Sequence, residues 1–272
     1  MTTPNPNQIT FYDISMTTPG APNPWKSRLA LNFKKIPYKT TWVPLPNIAQ
    51  VRASLNLPAG RKFADGSDFN TLPILEDRTK DSIIGDSFDI ATYLHHTYPD
   101  SGAGTLFPPQ TLDYAFTGAE ALLIPLSERA ESEFPEYARF NSNVDAVFTA
   151  HTQLMAYGLP FEPASAEETK TIFVKRAGVS SWENFQIVGE KREQLKVAFC
   201  SALADLARLF CREPSGPFIL GRSASYADFI VGGWLHMMNA TLPAEEWEEV
   251  KTWHGGTFGR LYDALEQYAE VK

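Results

Sequence analysis

Only two of the 272 residues are cysteine, Cys200 and Cys211. That is too few for a disulfide framework or for a zinc site built from cysteines. Eleven residues apart on one predicted helix, they would lie about 16 Å apart along its axis and cannot bridge each other. Small core residues in a reducing compartment are the expected role. Long apolar runs are missing too. The longest, Phe229–Leu235, is far too short to cross a bilayer. Met1–Gln8 lacks the basic start and apolar centre of a secretory signal, and neither end carries a lipidation motif. A cytoplasmic location without membrane attachment is expected. Histidine is scarce, and the one adjacent pair, His95-His96, diverges by about 100° on a helix. No metal site is expected. A Gly-rich phosphate loop and an exposed serine elbow are also lacking.

Basic charge is in deficit. The formal net charge is −8. Residues 1–100 carry 10 Lys and Arg against 9 Asp and Glu, whereas residues 101–272 carry 14 against 23. An acidic second half excludes a nucleic-acid surface, which needs a basic stripe. The near-neutral first half can receive an anionic ligand locally. Apolar residues make up 43% of the chain, enough for a folded protein rather than a disordered one.

Along the chain, Ile9–Ile14 reads as a strand, and residues 15–24 as a Pro/Gly/Thr loop. Trp25, Leu29, Ala30 and Phe33 have helical spacing over 25–35. A strand is expected over 38–44, a short helix over 48–55 and an extended loop over 56–70. Short strands at 71–76 and 82–84 flank a turn, and a helix runs over 87–98. The order is β-α-β-α-β-β-α. Residues 99–110, rich in Gly and Pro, make the best domain boundary. Beyond it, helices are expected near 111–134, 136–157, 164–178, 185–212, 226–239, 243–251 and 257–270. The fold class is therefore α+β: a domain over 1–100, a link over 101–110 and an all-helical domain over 111–272.

Two motifs bear on chemistry. Pro73 sits early in a strand, where it removes a ladder donor. A cis Leu72-Pro73 bond would leave the Leu72 backbone free to pair with a peptide ligand as an added strand. After the hairpin, Gly85-Asp86-Ser87-Phe88 opens a helix. Asp86 or Ser87 can cap it, and the free amides there suit a carboxylate while Asp86 suits an ammonium. Plain capping explains such a pair equally well when it stands alone. In the helical half, Ser225-Tyr226-Ala227-Asp228 reads as a capping box ahead of the apolar run Phe229-Ile230-Val231.

Together, TLPIL, the hairpin, GDSFDIATYL and the later capping box resemble the cytosolic glutathione transferases, over nearly the whole chain. The resemblance implies a thioredoxin-like first domain. It implies that Leu72, before cis-Pro73, pairs with the cysteinyl backbone of glutathione, and that Asp86 and Ser87 hold its γ-glutamyl end. Ser225 and Asp228 would be structural. Lys39, Arg61 and Lys62 are candidates for the glycyl carboxylate, Lys62 foremost. A narrower resemblance, through YDI, the Pro/Gly loop and Pro22-Asn23-Pro24-Trp25-Lys26, is to the fungal class related to bacterial lignin β-etherases. There a serine that precedes the Pro-Asn pair donates to the glutathione sulfur. Here that position holds Ala21.

The activating group is thus open. A thiol needs only about 2 kcal/mol of thiolate stabilisation to ionise at neutral pH. The start of the first helix offers positive potential. Asn23 is the foremost side-chain candidate; Ser15, Thr17 and Thr18 lie in the same loop, and Tyr12 is a further phenol. The resemblance implies glutathione as co-substrate, no metal, a homodimer, and a second pocket between the domains. Aromatics such as Phe116, Phe134, Tyr137, Phe140, Phe148, Tyr157, Trp182 and Phe185 supply mostly core and a few pocket walls. The expected activity is transfer of glutathione to, or binding of, hydrophobic aromatic compounds of polyphenol, lignin or xenobiotic origin, as in detoxification. A β-etherase is a subtype. The alternative is a non-catalytic, ligandin-type binding protein.

Overall fold

The computed structural model describes residues 9–118, 124–127 and 131–272. Its first part is a four-stranded sheet in the order β2-β1-β5-β6, built from β1 (Ile9–Ile14), β2 (Lys39–Val43), β5 (Ile74–Asp77) and β6 (Ser82–Ile84). β1 pairs parallel with β2 and antiparallel with β5, and β5 is antiparallel to β6. This is the thioredoxin-like arrangement. Side-chain alternation decides what each face carries. Ile9, Phe11 and Leu75 join the main core, while Tyr12, Ile14 and Ile74 face a smaller cluster with Val43, Ile48 and Leu72. Helices α1 (Pro22–Phe33) and α3 (Ser87–Thr97) cover the first face; α2 (Ile48–Ser54) covers the second. The 56–70 stretch, expected as loop, contains a small hairpin of β3 (Arg61–Lys62) and β4 (Asp68–Phe69). Its strands have two residues each, too few for a periodicity to register.

The second part is helical: α4 (Pro135–Ala150), α5 (Gln153–Ala156), α6 (Ala166–Ala177), α7 (Gly189–Ala202), α8 (Ala204–Leu209), α9 (Tyr226–Thr241) and α10 (Ala244–Leu265). Residues 111–118 and 124–127, inside the expected 111–134 helix, are not helical. The rest of that span is partly outside the described residues. The segment 101–110 is packed rather than loose. Leu106 and Phe107 are buried, the Phe107 ring stacks on Phe134 at 4.1 Å, and Lys34 Nζ donates to the carbonyls of Pro99 and Gly104. Cys200 and Cys211 are free; the second is exposed.

Helix α9 is the centre of the helical part. Its N-terminus carries the Ser225–Asp228 capping box. Asp228 Oδ2 accepts from the Ser225 amide at 2.7 Å and hydroxyl at 2.9 Å, and Oδ1 accepts from the Ile219 amide at 2.9 Å. Burial lifts the Asp228 carboxyl to about 6. Two glycines let α9 lie close to its neighbours, Gly233 to α1 and Gly232 to α10. A Cβ on Gly233 would stand 2.4 Å from the Pro22 carbonyl oxygen, and one on Gly232 would stand 2.3 Å from Leu265. Phe33 packs edge-on against Phe229, and Trp25 stacks on His236 at 3.8 Å. Buried residues of both parts form one contiguous core.

A fully buried lysine joins α1 to the helical part. Lys26 Nζ donates to Asp145 Oδ1 at 2.5 Å and to Asn141 Oδ1 at 2.9 Å. Asp145 Oδ1 also accepts from the Trp234 indole at 2.7 Å, and its Oδ2 from Asn141 at 3.1 Å. One carboxylate thereby ties α1, α4 and α9 together. Burial presses the Lys26 ammonium toward neutrality, and Asp145 opposes that shift.

Two outcomes are expected. Lys26→Met leaves Asp145 buried without its cation and should cost about 3–5 kcal/mol in a denaturant titration. The double variant Lys26→Met, Asp145→Asn keeps an acceptor for Trp234 and should recover much of that loss. Second, burial holds His236 down at about 3 in the fold. Its stabilising contribution is complete above the unfolded value near 6.5 and lost as pH falls toward 3, at about 1.4 kcal/mol per pH unit. His236→Phe should flatten the acid limb of stability against pH; an unchanged slope would rule His236 out as its source.

Candidate functional site

A cleft of about 290 Å³ opens between the sheet and the helical part. Three pieces of the first part reach it: the start of α1 (Ala21–Pro24), the segment Asn70–Leu72, and Arg61 with Phe63 and Phe69 from the small hairpin. From the helical part come Asp145, Thr149, Phe173, Arg176, Phe185, Trp234 and Met237, among others. The wall is therefore mainly apolar, with a few polar atoms at one side.

The sequence of α1 shapes its mouth. Ala21 occupies the N-cap with extended backbone and offers no side-chain bond. Pro22 and Pro24 have no N–H, and the Trp25 amide already donates to the Ala21 carbonyl. Asn23 is therefore the one residue of the first turn that combines a backbone N–H with a polar side chain. Its Oδ1 is buried and has no hydrogen-bond partner among the described residues. A half-turn of the carboxamide exchanges that acceptor for an N–H donor in the same place.

The Leu72-Pro73 bond is cis. Leu72 is buried on the cleft wall, next to Thr71. No backbone pairing of the Leu72 N–H or carbonyl occurs among the described residues, apart from a 3.2 Å bond from the Thr71 hydroxyl to that carbonyl. Asp86 caps α3, accepting from the Phe88 amide at 2.9 Å. Its second oxygen accepts from Ser127 Oγ at 3.0 Å and lies 3.5 Å from Arg61 Nη2. Arg61 also donates to the Pro125 carbonyl at 3.0 Å. Ser87 is buried beside it. Neither Asp86 nor Ser87 forms part of the cleft wall; Arg61 connects the pair to the cleft.

Several candidates are placed elsewhere. Lys62 is solvent-exposed and paired with Asp68 at 3.3 Å, because alternation along β3 sends it away from the cleft while its neighbour Arg61 faces in. Ser15 and Thr18 do not reach the wall; Met16 and Gly20 do, and Thr18 is exposed. Thr17 is engaged with the Pro160 carbonyl through its amide and hydroxyl. Tyr12 donates to Glu76 at 2.9 Å from within β1, and burial pushes its phenol up to about 12. Of the aromatics named from the helical sequence, Phe185 lines the cleft. Phe173, Trp234 and Arg176 do so unannounced by any motif, since all three lie in ordinary amphipathic or buried helices.

Comparison with known proteins agrees with this geometry. Residues 21–97 match the family model for the glutathione S-transferase N-terminal domain, and residues 148–268 match that for the C-terminal domain. A glutathione S-transferase-like protein, ustS, of Aspergillus flavus is 29% identical over 99% of this chain and 94% of its own. A glutathione S-transferase of Ceriporiopsis subvermispora, solved in complex with glutathione, superposes with a TM-score of 0.77. It is 28% identical, over 98% of this chain and 99% of that one. Glutathione transferase GSTFuA3 of Phanerochaete chrysosporium gives 0.75 at 25% identity, over 97% and 98%. The β-etherase LigF of Sphingobium shares the fold, with a TM-score of 0.57 at 14% identity. With both family models matched in order and the fold shared from end to end, the chain belongs to the glutathione transferase family.

Proposed function

We propose that this protein binds glutathione in the cleft and uses it on hydrophobic aromatic compounds, stabilising the thiolate at the start of α1. The observation that carries this reading is the convergence on one cavity of three features: the α1 N-terminus, the residue before a cis-proline, and an apolar wall from the second domain. Glutathione bound in the related protein from Ceriporiopsis supports it.

In this reading the cysteinyl backbone pairs with Leu72, which places the sulfur toward Ala21–Asn23. The γ-glutamyl end meets the Arg61–Asp86 pair and the start of α3. Arg61 attracts its carboxylate, and Asp86 attracts its ammonium. The Asn23 amide and carboxamide donate to the sulfur, and the helix end adds positive potential. The S–H proton leaves to solvent. The thiolate then attacks an electrophile held against the apolar wall, where proximity does much of the work. If the leaving group is an aryloxide, the same step is ether cleavage. Ala21 favours a second reading, ligandin-type binding, because a hydroxyl that would sharpen thiol ionisation is missing. A homodimer in the cytoplasm completes the proposal.

Three measurements test it. Ala21→Ser should lower the apparent thiol pKa of bound glutathione, read from thiolate absorbance against pH; an unmoved titration would remove the hydroxyl from the account. Turnover of several aromatic electrophiles by the unaltered protein separates the transferase from the binding reading. Asp86→Asn keeps the α3 cap but removes the charge. It should weaken glutathione by about 1.5–3 kcal/mol in calorimetry, the scale of a charged hydrogen bond. An unaltered dissociation constant takes Asp86 out of the site.

A further inference from the structure

Three charged side chains stand on the cleft wall: Arg61, Asp145 and Arg176. Two are already neutralised by the protein. Asp145 is paired with Lys26, and Arg61 lies beside Asp86. Arg176 is different. It has no carboxylate partner among the described residues. Its guanidinium lies over the rings of Phe63 and Phe69, at 5.6 Å and 5.3 Å from their centres. Burial alone depresses its pKa, with no acidic neighbour to offset the shift. It lines the cleft at its exposed rim. The two rings are themselves in edge contact at 4.9 Å, so they support one side of the guanidinium and leave N–H donors free on the other.

We infer that Arg176 makes this end of the cleft a receptor for a carboxylate on the bound ligand. The inference rests on the proposed glutathione and aromatic binding and adds a subsite to it. A guanidinium takes a carboxylate through two parallel N–H···O bonds, and the Phe63 and Phe69 rings support its face from one side. Phe173, one turn before Arg176 on α6, and Phe185 lie on the same wall. A flat ring carrying an acid group would find stacking surface and counter-charge together. The glycyl carboxylate of glutathione offers the same chemistry, because α6 packs against the turn Leu45–Asn47 that follows β2. No motif marks this residue. The helical part is acidic as a whole, so an unpaired arginine aimed into the cleft runs against its surroundings.

The test compares the unaltered protein with Arg176→Met, which keeps the stem over the rings and removes the fork. Tryptophan fluorescence or calorimetry reads four probes: glutathione, its glycyl monoethyl ester, 4-hydroxycinnamate and its methyl ester. The receptor predicts on the order of a ten-fold loss, confined to the member of one pair that carries the extra carboxylate. Loss for glutathione but not its glycyl ester assigns the glycyl group; loss for the cinnamate but not its ester assigns an aromatic acid. Equal affinities in variant and parent for all four probes overturn the inference, provided the parent binds glutathione. If the parent binds no glutathione, the proposed function itself fails instead.

Discussion

The buried ion pair between Lys26 and Asp145 is the constraint on which the site depends. A charge taken out of water costs several kcal/mol unless it is paired and its remaining donors are satisfied. Here the satisfaction is shared among three helices. Lys26 comes from α1, Asn141 and Asp145 from α4, and Trp234 from α9. The pair lies one turn below Ala21–Asn23, with Asp145 and Trp234 themselves on the cleft wall. The helix end that lines the cleft is thereby held against the helical part at a fixed height and angle. Replacing the pair by apolar residues of similar volume can be neutral for stability in other proteins. Its value here is therefore positional: no apolar contact would specify the direction of α1 so narrowly.

Close approach makes that geometry attainable. Gly233 removes the Cβ that would hold α9 away from the start of α1, and Gly232 the one that would press on Leu265 of α10. Trp25 then stacks flat on His236, and Leu29 and Phe33 enter the common core. The link segment closes the other side. Gln110 donates to the Ser225 hydroxyl at 2.9 Å, so the capping box of α9 is tied to the chain that joins the two parts. The Tyr226 amide bonds to the Leu106 carbonyl at 2.8 Å. The two halves are joined by polar bonds at their edges as well as by the core between them.

What the sequence disclosed follows the strength of the local signal. β1 reads correctly to the residue, because six alternating or β-branched positions are bounded by polar ones. Helix α3 is marked by Asp86 and by apolar spacing. The two helices expected over 243–251 and 257–270 correspond to α10, whose backbone leaves helical angles at Trp253–Gly256. His254, Gly255 and Gly256 have positive φ there, and the two glycines were the visible sign of the break. The small hairpin went unread because its strands are too short for a period. Around the cleft, the motif-borne residues Leu72 and Asn23 were legible, whereas Asp86, equally marked by its motif, stands off the wall and meets it through Arg61. Arg61 over Lys62 was not legible, because which of two adjacent cations faces inward is set by strand register. Asp145, Phe173 and Arg176 come from the helical part, and their meeting with the α1 end is a tertiary fact with no linear trace.

The start of α1 shows how one short segment balances structure against chemistry. Pro22 and Pro24 preset helical φ where the backbone N–H would be unpaired anyway, so they stabilise the first turn. They also remove two of the donors that a helix N-terminus would otherwise offer to an anion. With Ala21 contributing no hydroxyl, what remains is the Asn23 amide, its carboxamide and the field of the helix. None of these groups titrates near neutral pH. Under the proposed function, a thiolate held this way would be stabilised by fixed dipoles and not by a base that must itself be in the right protonation state. In that proposal the pH dependence would belong to the bound thiol itself, and the ease of its ionisation would depend on how firmly the Lys26–Asp145 pair below keeps that helix end in place.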